Sequence, residues 1–186
     1  MNNLHHNSKK EFQVERLVFF SDAVFAIAIT LLVIEIKVPE IKGAISETSF
    51  LDAFLLLMPR IGGFILSFFI IGLYWFSHYR MFGFVINYDN KLVWLNLLFL
   101  FSIVLLPFST SVYSEYSSQE YIGLIFPYAL YVINICMAGI FNYLIWNYIG
   151  NPKHKLAEGF PSKTFLRLAK IRTLVIPAVF LLSLLF

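Results

Sequence analysis

The sequence is poor in the residues from which soluble catalytic and metal sites are usually built. Cys136 is the only cysteine among 186 residues, which excludes a disulfide within the chain and leaves no thiol cluster for a metal ion. Charged residues make up only 13%. No histidine pair has a metal-binding spacing, and His5 and His6 lie in a polar N-terminal segment. We therefore expect neither a bound metal nor a cofactor.

The basic residues do not indicate a nucleic-acid partner. The formal net charge is only +3, and most of the 14 lysines and arginines lie between the apolar segments or at their ends. Basic residues in these places are typical of the loops of a membrane protein rather than of a surface that binds DNA or RNA. We expect no nucleic-acid partner.

Apolar side chains are abundant. Hydrophobic residues make up 59%, and the mean hydropathy is +0.76; soluble domains are roughly 45–50% apolar. About 20 apolar residues cross a bilayer as a helix, whereas barrel strands are alternating segments of about ten. The chain therefore predicts an all-α, polytopic transmembrane helix bundle that forms one domain over residues 1–186. We expect a polar tail at 1–11 and five spans, near 12–38, 51–80, 91–113, 119–149 and 164–186.

The basic residues also predict the orientation of the bundle. They crowd before the first predicted span, between the second and third, and between the fourth and fifth. These three places lie on one side of a membrane crossed in that order, and positive charge favours the cytoplasmic side. We expect a multi-pass protein of the cell membrane with a cytoplasmic N-terminus.

Several polar side chains lie within the apolar segments, at positions that this topology brings to one depth. An unsatisfied polar group in lipid is costly, so we predict a hydrogen-bonded cluster between helices. Its predicted members are Arg16, Ser21, Asp22, Trp75, His78 and Asn96. Two interpretations stay open: the bonds fix helix packing, or the cluster relays protons or ions.

The first span also carries an apolar stripe. At 100° per residue, one group of side chains lies within roughly 40 to 60° of a common line, and Asp22 points away from it. The group is Arg16, Phe20, Ala23, Ile27, Thr30, Leu31, Ile34 and Val38. This stripe can face lipid, a helix of a neighbouring subunit, or a pore shared by several copies.

Sequence motifs in three spans resemble those of a known family. Residues 16–32 read RLVFFSDAVFAIAITLL, and residues 75–78 read WFSH. Residues 96–101 and 105–110 read NLLFLF and LLPFST. In this order the motifs resemble the transmembrane protein 175 family of potassium channels, and the resemblance covers roughly residues 12–113.

The resemblance implies a homotetrameric channel whose prokaryotic members have six helices per chain, with four first helices around the pore. Carried over by position, Ile27, Leu31 and Ile34 would constrict the pore, and Thr30 would be a polar lining residue. One departure is the count of five spans, from which we expect the last helix of the family to be missing or truncated.

The expected function is potassium permeation with weak selectivity over sodium. Nothing in the sequence resembles the Thr-Val-Gly-Tyr-Gly carbonyl filter, so the resemblance implies a hydrophobic constriction that also serves as a gate. The expected partners are other copies of the chain, the lipid bilayer, and potassium and other monovalent cations. The alternative is a proton-coupled small-molecule transporter that uses Asp22 and His78. An intramembrane enzyme is disfavoured, because no nucleophile, base and oxyanion donor share one depth.

Overall fold

The described part of the chain is helical. The computed structural model describes residues 2–37, 41, 46–116 and 124–185, with side-chain surroundings from residue 12 onward. These residues form six α-helices and one 3-10 turn at Pro152–His154. The helices are α1 (Asn2–Ile34), α2 (Glu47–Leu55), α3 (Met58–Phe82), α4 (Asn90–Glu115), α5 (Ile125–Ile149) and α6 (Lys163–Ser183). The predicted all-α class is confirmed.

Four helices are long and apolar enough to cross a membrane, counted over the described residues. They are α3, α4, α5 and the part of α1 from Phe12 to Ile34. The predicted end of the first span, residue 38, and the predicted start of the fourth, residue 119, lie outside the described residues. Pro127, which falls early in the fourth predicted span, lies in the first turn of α5. Its missing N–H breaks no helical hydrogen bond there.

The predicted polar tail is part of a helix. No glycine or proline interrupts residues 2–34, and α1 runs without a break through all 33 residues. At 1.5 Å per residue this is about 50 Å, longer than the ~30 Å hydrocarbon core of a bilayer. Residues 2–11 of the predicted polar tail are thus helical, and the part of α1 apolar enough to span begins at Phe12.

The second predicted span, 51–80, is in fact two helices. Ser46 caps α2, since its Oγ accepts from the N–H of Ser49 at 3.1 Å and its own N–H donates to Ser49 Oγ at 2.9 Å. α2 ends at Leu55, and Pro59 lies in the first turn of α3, where a proline is readily accommodated. Apolar residues continue across the break, which is why hydropathy missed it. At nine residues, α2 is too short to cross a bilayer.

The last predicted span, 164–186, contains the helix α6 (Lys163–Ser183). Ser162 caps α6 by accepting from the N–H of Phe165 at 3.0 Å. Arg167, Lys170 and Arg172 then occupy its first half, and α6 is not among the helices apolar enough to span. The described residues contain six helices, and four of them have the length and composition of a membrane span.

The α4 helix is central to the packing. It contacts α1, α3 and α5, and α5 in turn packs against α6. Buried residues on α4 include Asn96, Phe99, Ile103 and Leu106, whose spacing of three or four residues forms one face. The helix therefore connects the first part of the chain to the last.

A short antiparallel contact closes the end of the bundle where α3 ends and α6 begins. Val85 and Ala157 form an isolated β-bridge. The N–H of Ile86 donates to the carbonyl of Leu156 at 2.9 Å, and the N–H of Glu158 donates to that of Phe84 at 3.0 Å. These bonds hold the start of α6 close to the end of α3.

The helices α5 and α6 approach closely at Gly139. A Cβ atom on Gly139 would lie 2.2 Å from Cγ of Pro177 and 3.0 Å from the carbonyl oxygen of Thr173. A proline ring and a backbone oxygen cannot swing aside, so the absence of a side chain permits this contact. Small residues commonly allow such approaches between membrane helices.

We expect Gly139→Ala to destabilise the protein by about 1–3 kcal/mol, because the added methyl overpacks the contact. Gly72→Ala is the matched control, since a Cβ there meets nothing within 4 Å. A helical glycine replaced by alanine in open space should be neutral or stabilise by up to ~1 kcal/mol. Thermal unfolding of both variants in one detergent measures the difference, and equal melting temperatures would contradict this account of the contact.

Candidate functional site

The helix α1 has one face that is packed against the rest of the chain. Val14, Ser21, Phe25, Ala28 and Leu32 are buried, at spacings of three, four and seven residues. This face contacts α3 and α4. The spacing matches one side of a helix, so the opposite side of α1 points away from its own bundle.

Three fully buried polar side chains connect this face to its neighbours. Ser21 Oγ donates to the carbonyl of Leu17 at 2.8 Å and accepts from Nδ2 of Asn96 at 2.9 Å. Oδ1 of Asn96 lies 2.9 Å from Nε2 of His78. Because Asn96 donates through its nitrogen, its oxygen accepts, and His78 donates from Nε2. We call Ser21, Asn96 and His78 the buried triad, and it joins α1, α4 and α3.

The His78 ring lies in an aromatic enclosure. Its centroid is 4.2 Å from that of Phe82, 5.7 Å from that of Phe25 and 5.9 Å from that of Phe99. Nδ1 is buried and has no hydrogen-bond partner among the described residues. The neutral ring with its proton on Nε2 suits these surroundings, because a second N–H would be buried without an acceptor.

A separate hydrogen bond links α1 and α3 nearer the surface. Nε1 of Trp75 donates to Oδ1 of Asp22 at 2.9 Å, and Asp22 is half-buried while Trp75 is exposed. Arg16 is also exposed and bonds to neither group among the described residues. The predicted cluster thus divides into the buried triad and the Asp22–Trp75 pair. Arg16 belongs to neither group among the described residues.

Polar contacts also hold the other end of α1. Ser111 Oγ on α4 donates to Oε2 of Glu35 at 2.7 Å, just beyond the end of α1. Close by, Arg60 of α3 forms an ion pair with Glu115 of α4. Polar bonds therefore fix α1 near both ends of its apolar segment.

The residues of the predicted constriction lie on the free side of α1. Ile27, Leu31 and Ile34 are 58%, 39% and 69% exposed. Thr30 is exposed as well, and its hydroxyl donates to the carbonyl of Ile27 at 2.8 Å, which leaves the oxygen free to accept. We call these four residues the free stripe. Val38, the last residue of the predicted stripe, lies outside the described residues.

A second buried polar chain was not predicted from the sequence. Thr110 Oγ1 donates to the carbonyl of Leu106 at 2.7 Å, so it accepts from Ser67 Oγ at 2.7 Å. Ser67 in turn accepts from the hydroxyl of Tyr131 at 2.9 Å. This chain joins α3, α4 and α5. Single hydroxyls in apolar runs carry little sequence signal, because each can bond within its own helix.

Comparison with known proteins identifies the family. Residues 16–107, which include most of α1 and α4 and all of α2 and α3, match the family model described as endosomal/lysosomal potassium channel TMEM175. A protein named as a potassium channel from a Chryseobacterium species is 33% identical over 80% of this chain and 72% of its own length. The chain belongs to the TMEM175 family.

Two further matches agree with membership of the TMEM175 family. A potassium channel of Streptomyces collinus is 34% identical over 71% of this chain and 63% of its own length. The chain thus spans less than two thirds of that relative. The crystal structure of a homologue, from Chamaesiphon minutus, of the lysosomal potassium-selective channel TMEM175 superposes with a TM-score of 0.76 at 27% identity. That match covers 92% of this chain and 85% of the other.

For this TMEM175 member we expect Ser21→Ala to reduce stability by about 1 kcal/mol, since it leaves the buried amide of Asn96 without its acceptor. Ser102→Ala is the control, because Ser102 is equally buried and its Oγ bonds only to the carbonyl of Phe99 in its own helix. Thermal unfolding in detergent compares them. A Ser21→Ala melting temperature equal to that of Ser102→Ala would show that the triad contributes nothing.

Proposed function

We propose that this protein is a potassium-permeable cation channel in which α1 helices from four chains surround a central axis. The free stripe would line the pore, with Ile27, Leu31 and Ile34 as successive constrictions and Thr30 as a polar lining residue. The channel would lie in the cell membrane with its N-terminus in the cytoplasm, and it would discriminate weakly between potassium and sodium.

One observation carries the proposal. The packed face of α1 is turned toward α3 and α4, so the free stripe is directed away from these two helices. The described residues of a single chain therefore do not enclose a passage along this stripe. Any pore that it lines must be built from several copies, which is consistent with the channel names of the relatives.

The composition of the stripe supports weak selectivity. Isoleucine and leucine side chains offer no oxygen atoms that could replace the water around an ion. A passing ion would keep much of its hydration shell, and the ion that holds water less tightly, potassium, would lose less free energy in the constriction. A narrow apolar ring can also exclude water altogether, so the same residues would serve as a gate. The hydroxyl of Thr30 would keep one level of the pore hydrated.

Reversal potentials test the proposal directly. The purified protein is placed in a planar bilayer with potassium chloride on one side and sodium chloride on the other. We expect an ohmic current whose reversal potential favours potassium modestly. Saturable uptake of a solute that is driven by a pH gradient, with no ohmic current, would instead favour the proton-coupled transporter.

Ile27→Asn should raise the single-channel conductance several-fold and move the reversal potential toward zero, because an amide ring hydrates the constriction. Val33→Asn is the control on the same helix, as Val33 is 53% exposed but lies roughly 120° around the helix from Ile27. We expect wild-type currents from it. If both variants behave like the wild type, or change equally, Ile27 does not constrict the pore.

Asp22→Asn should leave the reversal potential unchanged, because the amide oxygen can still accept the hydrogen bond of Trp75. Asp22→Ala removes the acceptor and should reduce the fraction of assembled protein without altering ion preference. Size-exclusion chromatography measures assembly, and bilayer recordings measure preference. Loss of all transport in Asp22→Asn with normal assembly would indicate that Asp22 titrates during transport, in contradiction to a purely structural role.

A further inference from the structure

A groove lies between α3, α5 and α6. It encloses about 300 Å³, the lower end of the ~300–1,000 Å³ typical of small-molecule pockets. It lies toward the end of the bundle where α3 ends and α6 begins. No α1 residue lines it, so it is separate from the proposed pore.

The walls of the groove are apolar and open to the side. Leu73 and Phe76 on α3 and Leu168 on α6 are exposed along its rim. The polar groups on its floor already have partners: the hydroxyl of Tyr74 donates to the carbonyl of Ile135 at 2.9 Å, and Nδ2 of Asn142 donates to Ser77 Oγ at 3.0 Å. The floor therefore presents little that a polar solute could bind.

Two arginines provide the charge of the groove. The guanidinium of Arg80 lies 5.7 Å from the ring centroid of Phe76 and 5.8 Å from that of Phe165, which orients it at the groove. Arg172 lines the groove from α6, and none of the lining residues is acidic. The neighbouring Lys170 donates instead to Oδ1 of Asn147 at 2.8 Å. Two cations thus face the groove without a carboxylate to balance them.

We propose that this groove binds an anionic phospholipid. The phosphate accepts hydrogen bonds from Arg80 and Arg172, and an acyl chain lies against the apolar wall formed by Leu73, Phe76 and Leu168. Arginine suits this role because its planar donors match phosphate oxygens. Basic pockets between membrane helices on the cytoplasmic side bind anionic headgroups in this way. A free anion would use the arginines but not the apolar wall.

The site is tested by lipid retention, which does not depend on ion conduction. The full chain is purified in detergent and incubated with phosphatidylglycerol or with phosphatidylcholine of the same acyl chains, and bound lipid is measured by native mass spectrometry. We expect phosphatidylglycerol to be retained in preference. Arg80→Gln and Arg172→Gln should each weaken its binding about fivefold, and the double variant roughly 25-fold.

Two further variants separate the headgroup from the acyl chain. Arg167→Gln removes the same charge from α6 outside the groove and should bind like the wild type. Ala169→Phe fills the groove while both arginines remain, and it should lose most of the binding. Melting temperatures near that of the wild type show that each variant is folded.

Several outcomes would overturn the proposal. One is equal retention of phosphatidylglycerol and phosphatidylcholine by the wild type. Another is equal affinity for phosphatidylglycerol in Arg167→Gln and in the double variant of Arg80 and Arg172. Unchanged binding in Ala169→Phe would place the lipid elsewhere. Dissociation of the assembly in the double variant, with phosphatidylglycerol retention intact, would show that a second copy of the chain occupies the groove.

Discussion

The rotation of α1 about its own axis depends on the need to satisfy buried polar groups in an apolar bundle. Ser21, Asn96 and His78 are fully buried, and each finds a hydrogen-bond partner on another helix. Turning α1 by one residue moves Ser21 through about 100° and leaves the amide of Asn96 without an acceptor. In lipid that loss has no compensation from water. The same bonds that satisfy the triad therefore decide which side of α1 is free.

Apolar packing alone would hold α1 less specifically. Phe25, Ala28 and Leu32 are apolar, but so are Ile27, Leu31 and Ile34 on the other side, and lipid is as apolar as either face. The bonds near the two ends, from Ser21 to Asn96 and from Glu35 to Ser111, remove this ambiguity. Because these bonds come from the packed side, they fix the rotation of α1 without any charged residue on the free stripe. The free stripe can therefore remain hydrophobic.

Features that depend on the periodicity of the sequence, such as helices and their faces, could be predicted. Features that depend on contacts between helices could not. The apolar runs gave the four spanning helices, and the 100° rotation per residue placed Ile27, Leu31 and Ile34 on one face of α1. Hydropathy could not detect the break before Met58, since Leu55, Leu56 and Leu57 are as apolar as their neighbours. Nor could it detect the Tyr131–Ser67–Thr110 chain, which exists only because three helices bring single hydroxyls together.

The segment that matches the family model and the contact between α5 and α6 lie in different parts of the chain. The segment 16–107 contains the buried triad and the free stripe, so a change there alters the face that α1 presents. Gly139 and Pro177 illustrate how closely α5 and α6 pack, and Lys170 of α6 also donates to Asn147 of α5 across this contact. Because α6 packs mainly on α5, its sequence can change without turning α1. The basic residues in the first half of α6 are thus compatible with an unchanged α1. They are available for contacts at the membrane surface.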